Sequence, residues 1–188
     1  HRDVLVRSKT GSGKTLAYVL PCLQMLLRDL SSNPEMAINP KVHTIILVPT
    51  RELVLQVREF VMLLTKMIFA RGENVEVGAF FVSEDASIDN DMLLQCEAAR
   101  SPRIVVGTPG MVYKWSKDRN NSNNSDKDNC LLDLTSTKFL VVDECDLVEE
   151  YGGSKDLVNI MEKIGYKPQI LMASATLKAK KIDGDLST

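Results

Sequence analysis

The residues with the clearest chemical potential form the stretch Ser8-Lys9-Thr10-Gly11-Ser12-Gly13-Lys14-Thr15. Gly11 and Gly13 can turn their N–H groups inward at positive φ, and the start of a following helix adds unpaired donors. Lys14 supplies a positive charge for β- and γ-phosphates, and the Thr15 hydroxyl is a ligand for Mg²⁺. The general pattern of a phosphate-binding loop has Gly where Ser8 stands, so this stretch departs from the pattern at one position. We predict a site for nucleotide phosphates, with a Gly/Ser-rich flexible turn as the alternative.

Two carboxylates later in the chain could complete such a site. Asp143-Glu144 directly follow the apolar pair Val141-Val142. An acidic residue at the end of a buried strand can hold Mg²⁺, and its neighbour can orient and deprotonate an attacking water. The alternative is a solvated acidic turn stabilised by a helix dipole. The catalytic interpretation requires Asp143 and Lys14 to face each other at one rim of the same sheet.

The elements that must position these residues alternate between strand-like and helix-like patterns. The strand-like runs are uniformly apolar, which is typical of a parallel sheet covered by helices on both faces and predicts an α/β fold. The predicted strands are Val4 to Val6, Thr44 to Val48, Val75 to Val82, Ile104 to Val106, Phe139 to Val142 and Ile170 to Ala173. The predicted helices are Lys14 to Leu30 with a kink at Pro21, Arg51 to Phe69, Ile88 to Ala99, Met111 to Trp115 and Leu157 to Ile164, with a loop at residues 31–41.

Nearly every polar or Gly/Pro cluster directly follows a predicted strand. The clusters are Ser8 to Thr15, Pro49 to Glu52, Gly107 to Gly110, Asp143 to Asp146 and Ser174 to Thr176. The carboxyl ends of parallel strands lie along one edge of a sheet, where open α/β folds bind their ligands. We therefore predict that these clusters converge on one active edge.

Composition and charge narrow the functional classes. The chain has 188 residues, of which 44% are hydrophobic, enough for the core of one domain. The net charge of −2 gives no global positive field, so any nucleic-acid contact must be local. Four cysteines without a Cys-x-x-Cys pair indicate reduced intracellular thiols. No apolar run is long enough to cross a bilayer, and we expect no membrane partner.

One segment breaks the alternation of strands and helices. Ser116 to Asn129 consist of Ser, Lys, Asp, Arg and Asn without an apolar residue, so they have nothing to bury. We predict a mobile low-complexity insertion at residues 116–130 within one domain that spans residues 1–188.

Five short motifs stand at the predicted strand ends. They are Thr-Gly-Ser-Gly-Lys-Thr at 10–15, Pro-Thr-Arg-Glu-Leu at 49–53 with Gln56, Thr-Pro-Gly at 108–110, Asp-Glu-Cys-Asp at 143–146 and Ser-Ala-Thr at 174–176. In type and order they resemble the first RecA-like domain of DEAD-box ATP-dependent RNA helicases. That family usually has a small non-Gly residue where Ser8 stands. The resemblance implies a RecA-like three-layer α/β/α domain with a mostly parallel, twisted sheet.

The resemblance also implies a role for each matching residue. ATP would be bound by Ser8, Thr10, Gly11, Ser12, Gly13, Lys14 and Thr15. Mg²⁺ would be held by Thr15 and Asp143, and the catalytic residues would be Lys14, Asp143 and the base Glu144. RNA backbone contacts would come from Thr50, Arg51, Thr108 and Gly110, and coupling from hydrogen bonds of Asp146 with Ser174 and Thr176. Seen singly, Thr50 could be a helix cap, Arg51 a first-turn charge, and the Ser174 and Thr176 pair a strand-end turn.

The chain departs from the family pattern at three places. Residues 77–83 contain only Gly78 where the family usually has a Gly-Gly pair, and Met111 stands where an Arg usually follows Thr-Pro-Gly. Both departures predict the loss of an RNA-backbone contact, so that single-strand affinity is either lower or supplied by residues elsewhere. Cys145 replaces the usual Ala, a small-for-small change that we expect to be nearly silent.

Two branches of the family fit different details. The acidic motif Asp-Glu-Cys-Asp resembles that of a messenger-RNA export branch. The missing Gly-Gly pair, the segment Ser83-Glu84-Asp85 and the pair Tyr151-Gly152 resemble a nucleolar branch that acts in large ribosomal subunit assembly. We predict a ribosome-biogenesis helicase of the nucleolus, with a messenger-RNA export or splicing helicase as the alternative.

The family also implies parts that this chain does not contain. A second RecA-like domain supplies arginine fingers and the other half of the RNA groove, and an adenine-reading segment precedes the first strand. We therefore expect a monomeric fragment, incomplete at its N-terminus, that binds nucleotide but hardly hydrolyses it alone. A protein activator is a candidate further partner.

Three other functional classes stay open. A DNA helicase or translocase could use the same core, and a nucleotide-dependent scaffold could use it without helicase activity. An unrelated phosphate-loop kinase or transporter ATPase predicts neither residues 49–52 nor residues 174–176.

Overall fold

The computed structural model describes residues 2–9, 11–39, 41–69, 75, 77–80, 102–116 and 132–176. The strands are β1 (Val4–Arg7), β2 (Thr44–Leu47), β3 (Val77–Phe80), β4 (Ile104–Gly107), β5 (Phe139–Val142) and β6 (Gln169–Ser174). The helices are α1 (Lys14–Ser32), α2 (Pro34–Ile38), α3 (Arg51–Ile68), α4 (Pro109–Trp115), α5 (Cys145–Glu150) and α6 (Ser154–Lys163). Among these helices none is both long and apolar enough to span a membrane.

The strands form one sheet in the order β1-β6-β5-β2-β4-β3, and every pairing of the described strands is parallel. Because all strands run in the same direction, their carboxyl ends share one edge, as the sequence predicted. The strand-end clusters stand along this edge in the order Ser8, Ser174, Asp143, Thr50 and Thr108. This row is called the active edge below.

Helices cover both faces of the sheet and give three layers. Alternate side chains of a strand point to opposite faces, so Ile46 and Val141 pack in one core layer while Ile45 and Leu140 pack in the other. Apolar residues of α1 and α3 complete the first layer, and those of α4, α5 and α6 complete the second. Burial of each such side chain stabilises the fold by about 1.5–3 kcal/mol relative to exposure. The predicted α/β/α architecture is confirmed.

The structure differs from the sequence predictions at two short helices. Residues 31–41 were predicted as a loop, but α2 forms there because the Asn33 side chain accepts a hydrogen bond from Glu35 N and Pro34 occupies the first turn. The helix α5 directly after the acidic pair was not predicted. The predicted helix at residues 88–99, the Ser83-Glu84-Asp85 segment and residues 117–130 of the predicted insertion at 116–130 lie outside the described residues. Ser116, the first residue of that insertion, is instead buried as the C-cap of α4.

Candidate functional site

The loop between β1 and α1, residues 8–13 and called the phosphate loop below, has the backbone geometry of an anion site. Gly11 and Gly13 adopt φ of 75° and 86°, values that residues other than glycine rarely adopt. Gly13 is the N-cap of α1, so the unpaired N–H groups of the first helical turn face the loop. Lys14 folds back over the loop and donates from Nζ to the Ser8 carbonyl at 2.8 Å. Thr10, predicted to bind nucleotide, lies outside the described residues.

Ser8 fixes the loop to the sheet. Its N–H donates to the Ser174 carbonyl at 3.0 Å, which extends the pairing of β1 with β6. Its hydroxyl is hydrogen bonded to the hydroxyl of Ser12 across the loop. Ser8 and Ser12 therefore brace the turn around the ammonium group of Lys14.

Asp143 points toward α1 and the phosphate loop. It follows Val141 by two residues, so its side chain lies on the same face of the sheet as α1. It is only 7% exposed, and its Oδ2 accepts a hydrogen bond of 2.9 Å from the hydroxyl of Tyr18 in α1. Its Oδ1 accepts a second bond of 2.9 Å from Glu144 N. Asp143 and Lys14 thus lie at one rim of the sheet, which is one part of the placement that the catalytic interpretation requires.

Glu144 occupies the strained position next to this carboxylate. With φ of 47° it is the one non-glycine residue at positive φ in the described part of the chain. Such a conformation costs about 1–3 kcal/mol and persists where the surrounding structure imposes it. Burial raises the pKa of Glu144, as does the charge of Asp143, whereas the Lys14 ammonium opposes the rise. The side chain therefore lies within electrostatic reach of both Lys14 and Asp143.

Asp146 is joined to the end of β6. The Thr176 hydroxyl donates to Asp146 Oδ2, and Thr176 N donates to the Ser174 hydroxyl at 3.0 Å. Hydrogen bonds to its carboxylate, first that from Thr176 and then that from Ser174, lower the pKa of Asp146. The structure thus brings together the three residues that the sequence assigned to coupling.

The remaining predicted site residues follow two neighbouring strands. The strand ends are held together by a bond of 3.0 Å from Val48 N to the Gly107 carbonyl. Thr50 caps α3, accepting a hydrogen bond of 3.4 Å from Leu53 N, and Arg51 opens that helix. Thr108 caps α4 through its carbonyl rather than its hydroxyl, and Gly110 is exposed in the first turn of α4.

Position 111 does not face the active edge. Met111 is 6% exposed and packs in the core layer under α4. The sequence predicted that the absence of the usual Arg at this position removes an RNA-backbone contact. In this chain the side chain at 111 points into the core, and the predicted loss of the RNA contact stays a prediction.

Sequence reasoning missed Tyr18, although a sequence signal was present. Tyr18 follows Lys14 by four residues and Thr15 by three, which places it on the same face of α1. Burial and the negative charge of Asp143 raise the pKa of its hydroxyl well above the ordinary value. The hydroxyl therefore keeps its proton and can donate a hydrogen bond.

The cysteine in the acidic motif shows no sign of reactivity. Cys145 is partly buried at the start of α5, and burial raises the pKa of its thiol. A thiol with a raised pKa is a poor nucleophile. Cys22 in α1 is likewise a free thiol, with a pKa raised to about 12 by burial.

Comparisons with known proteins match these motifs and this fold. The model of the DEAD/DEAH box helicase family matches residues 1–183. The ATP-dependent RNA helicase DBP9 of Debaryomyces hansenii is 35% identical over 178 residues, which cover 94% of this chain and 27% of that protein. The DBP9 helicase of Pyricularia oryzae is 39% identical over 176 residues, which cover 94% of this chain and 24% of that protein.

A solved structure gives the same result. The crystal structure of a DEAD box protein from the hyperthermophile Methanococcus jannaschii superimposes with a TM-score of 0.69 at 26% sequence identity. The match covers 95% of this chain and 40% of that one. The matched regions cover 24–27% of the two curated relatives. The chain therefore spans about a quarter of their length.

Proposed function

The chain belongs to the DEAD/DEAH box helicase family, and from that premise we propose that it is the ATP-binding RecA-like domain of an ATP-dependent RNA helicase. The observation that carries the proposal is the buried Asp143 carboxylate, which faces the first turns of α1 directly behind the phosphate loop. This arrangement supports the proposal because the loop and two acidic side chains stand at the same edge of the sheet. The names of the DBP9 relatives, ATP-dependent RNA helicases, support the choice of nucleotide and of nucleic acid.

The oxygen donors at the rim fit Mg²⁺. This ion is usually held by one or two carboxylates together with substrate phosphates rather than by a cage of protein ligands. Asp143 is a buried carboxylate beside the helix that carries Thr15, and the described residues contain no cluster of three or more His, Cys, Asp or Glu that could form a cage. Thr15 and Asp143 would hold the ion, which when bound would neutralise charge on the β- and γ-phosphates.

The side chains of this domain would share the work of hydrolysis. The N–H groups around Gly11, Ser12 and Gly13 would bind the phosphates, and Lys14 would exchange its bond to the Ser8 carbonyl for the β- and γ-phosphate oxygens. Glu144 would orient the attacking water and take its proton. Its raised pKa brings it closer to the value that a general base needs near neutral pH.

RNA would bind at the opposite end of the active edge. Thr50 and Arg51 after β2, with Thr108 and Gly110 after β4, present hydroxyl, guanidinium and backbone N–H groups that suit sugar-phosphate contacts without sequence specificity. Both single-stranded and duplex RNA are candidate ligands. The β5 and β6 ends, with Asp146, Ser174 and Thr176, lie between the nucleotide and RNA ends of the edge.

Further parts of the protein belong to this proposal. A second RecA-like domain of the same polypeptide would supply arginine fingers, whose contribution to rate is about 10³–10⁵ in related systems. The domain at residues 1–188 would then be nearly inactive alone, with residues 116–130 as an insertion in it. We propose a monomer that works with a protein activator in the nucleolus, in large ribosomal subunit assembly.

A comparison of nucleic acids tests the helicase class. ATP turnover of the intact protein is measured with single-stranded RNA and with DNA of the same sequence, at stated salt because backbone binding depends on ionic strength. We expect strong stimulation by RNA and little by DNA. Equal stimulation would favour a DNA helicase or translocase, and Lys14→Ala is the control that should abolish turnover with either nucleic acid.

A second experiment tests the pathway. RNA crosslinked to the intact protein in cells is sequenced and assigned to ribosomal precursor or messenger RNA. We expect precursors of the large subunit RNA. Enrichment of spliced or exported messenger RNA would support the alternative branch that the Asp-Glu-Cys-Asp motif resembles.

A further inference from the structure

Tyr18 is a buried polar group that no sequence motif explained. Its side chain is 1% exposed and lies in the core layer between α1 and the sheet. Its hydroxyl nevertheless has a polar partner, because it donates a hydrogen bond to Asp143 Oδ2 at 2.9 Å. A phenylalanine would fill the same volume, so the hydroxyl contributes something other than packing.

The Asp143 carboxylate is held from two directions. Glu144 N bonds Oδ1 at 2.9 Å and belongs to the next residue, so this bond fixes the side chain relative to its own backbone. Tyr18 bonds Oδ2 from α1, so this bond fixes the side chain relative to the helix that carries the phosphate-binding residues. Two donors on different oxygens restrict both the rotation and the tilt of the carboxylate.

Tyr18 also lies on the side of α1 that carries the other candidate metal ligand. Thr15 and Tyr18 are three residues apart in α1 and therefore lie on one face of the helix. The bond from Tyr18 to Asp143 thus ties the carboxylate to the face of α1 that carries Thr15.

We propose that Tyr18 is a positioning residue that holds the Asp143 carboxylate toward the face of α1 that carries Thr15, for binding Mg²⁺ with the nucleotide. The inference rests on the proposed function, since it concerns the same site. Tyr18 acts through Asp143 and contacts neither phosphate nor water in the reaction. Outer-shell partners of this kind typically contribute 10–100-fold to metal affinity.

The test uses Tyr18→Phe in the intact protein, with two controls. Tyr151→Phe removes the same hydroxyl from a side chain that is 63% exposed, and Val19→Ala removes buried volume from the neighbouring position of α1 without changing a polar group. Binding of fluorescent ADP is titrated with Mg²⁺ and repeated in EDTA, and the melting temperature of each variant is recorded.

We expect Tyr18→Phe to raise the half-saturating Mg²⁺ concentration for ADP binding about 10-fold. Binding in EDTA should be unchanged, and both controls should keep the Mg²⁺ requirement of wild type, although Val19→Ala should lower the melting temperature because it removes buried volume. In a background of Asp143→Asn the effect of Tyr18→Phe should disappear, because the carboxylate that it orients is gone.

Two results would overturn the inference in different ways. If the Mg²⁺ requirement of Tyr18→Phe equals that of wild type, or shifts only as far as that of Val19→Ala, Tyr18 is a packing residue and the proposed function stands. If wild type itself binds ADP without any dependence on Mg²⁺, the proposed function fails and this inference fails with it.

Discussion

At the scale of single residues, Glu144 combines backbone strain with an unusual charge environment. Its positive φ is imposed between the end of β5 and the start of α5, where the chain must turn from strand to helix. Burial and the Asp143 charge raise its pKa. Strain and a raised carboxyl pKa are features that cluster at functional sites rather than in solvated turns.

The first prediction concerns the base. Glu144→Gln keeps the shape of the side chain but cannot accept a proton, so we expect ATP turnover by the intact protein to fall by about 10²–10⁴-fold while ADP binding is kept. Glu149→Gln, at an exposed position of the same helix, is the control. Unchanged turnover in Glu144→Gln would favour the scaffold hypothesis and contradict the helicase assignment.

A second titratable residue lies at the opposite edge of the sheet. His43 is 1% exposed, with Nε2 at 3.1 Å from Asp29 Oδ2 and Nδ1 at 3.0 Å from Thr44 Oγ1. Burial lowers its pKa below the ordinary 6.5, reinforced by the charges of Lys138 and Arg103 and opposed by Asp29. The imidazole is therefore neutral in the folded protein near pH 7.

The second prediction concerns stability and pH. Because the folded pKa of His43 lies below the unfolded value of 6.5, its contribution is complete above pH 6.5 and is lost as pH falls through the folded pKa. Urea unfolding of the intact protein should show a decline below pH 6.5 that is smaller in His43→Gln. His1→Gln, at the other histidine of the chain, should leave the decline as in wild type. A decline of the same size in His43→Gln would assign it to other groups.

At the scale of elements, the Thr50 hydroxyl caps a helix at the place where RNA is proposed to bind. The side chain caps α3 through Leu53 N, which favours the capping interpretation that the sequence left open. It also stands at the active edge beside the end of β4, where the proposed RNA contacts lie. Removal of the hydroxyl would therefore affect helix stability and RNA binding together.

The third prediction separates these roles. Thr50→Asp keeps a good N-cap but adds a negative charge, so we expect stability close to that of wild type and weaker RNA binding. Thr50→Ala should lower the free energy of unfolding by about 1 kcal/mol. Asn33→Ala, which removes the cap of α2, should reduce stability without weakening RNA binding. Full RNA affinity in Thr50→Asp would exclude Thr50 from the RNA site.

At the scale of the whole molecule, the order of the strands distributes the functions along one edge. The phosphate loop follows β1 at one end of the sheet, and the proposed RNA contacts follow β2 and β4. The ends of β5 and β6 lie between them and are joined by the bond between Asp146 and Thr176. The proposed coupling between the nucleotide and RNA sites would pass through this connection.

The fourth prediction tests that connection. Thr176→Val removes the hydroxyl that donates to Asp146, so we expect RNA stimulation of ATP turnover and duplex unwinding to fall more than basal turnover. Thr135→Val removes a similar bond, from Thr135 to Asp133, at the opposite edge and serves as the control. Equal loss of basal and stimulated turnover in Thr176→Val would place Thr176 in the catalytic step rather than in coupling.

Much of this protein could be predicted from the sequence because the decisive patterns are local. The β-branched run at Thr44–Leu47 and the helical spacing of α1 mark their elements directly. The glycines at 11 and 13 indicate the positive φ that the structure has. The sequence pattern does not predict α2, because Pro34 resembles a helix breaker. In the structure Pro34 lies in the first turn after the Asn33 cap, where proline is tolerated.

The sequence by itself determined the types of element, the parallel sheet and the set of residues at the strand ends, since periodicity and chain direction are properties of neighbouring residues. Only the tertiary structure decided the order of the strands, the burial of Met111 and the contact of Tyr18 with Asp143, residues that are 125 positions apart. These depend on which helix packs on which face of the sheet. That choice is made by the burial of apolar surface across the whole domain, which no local pattern encodes.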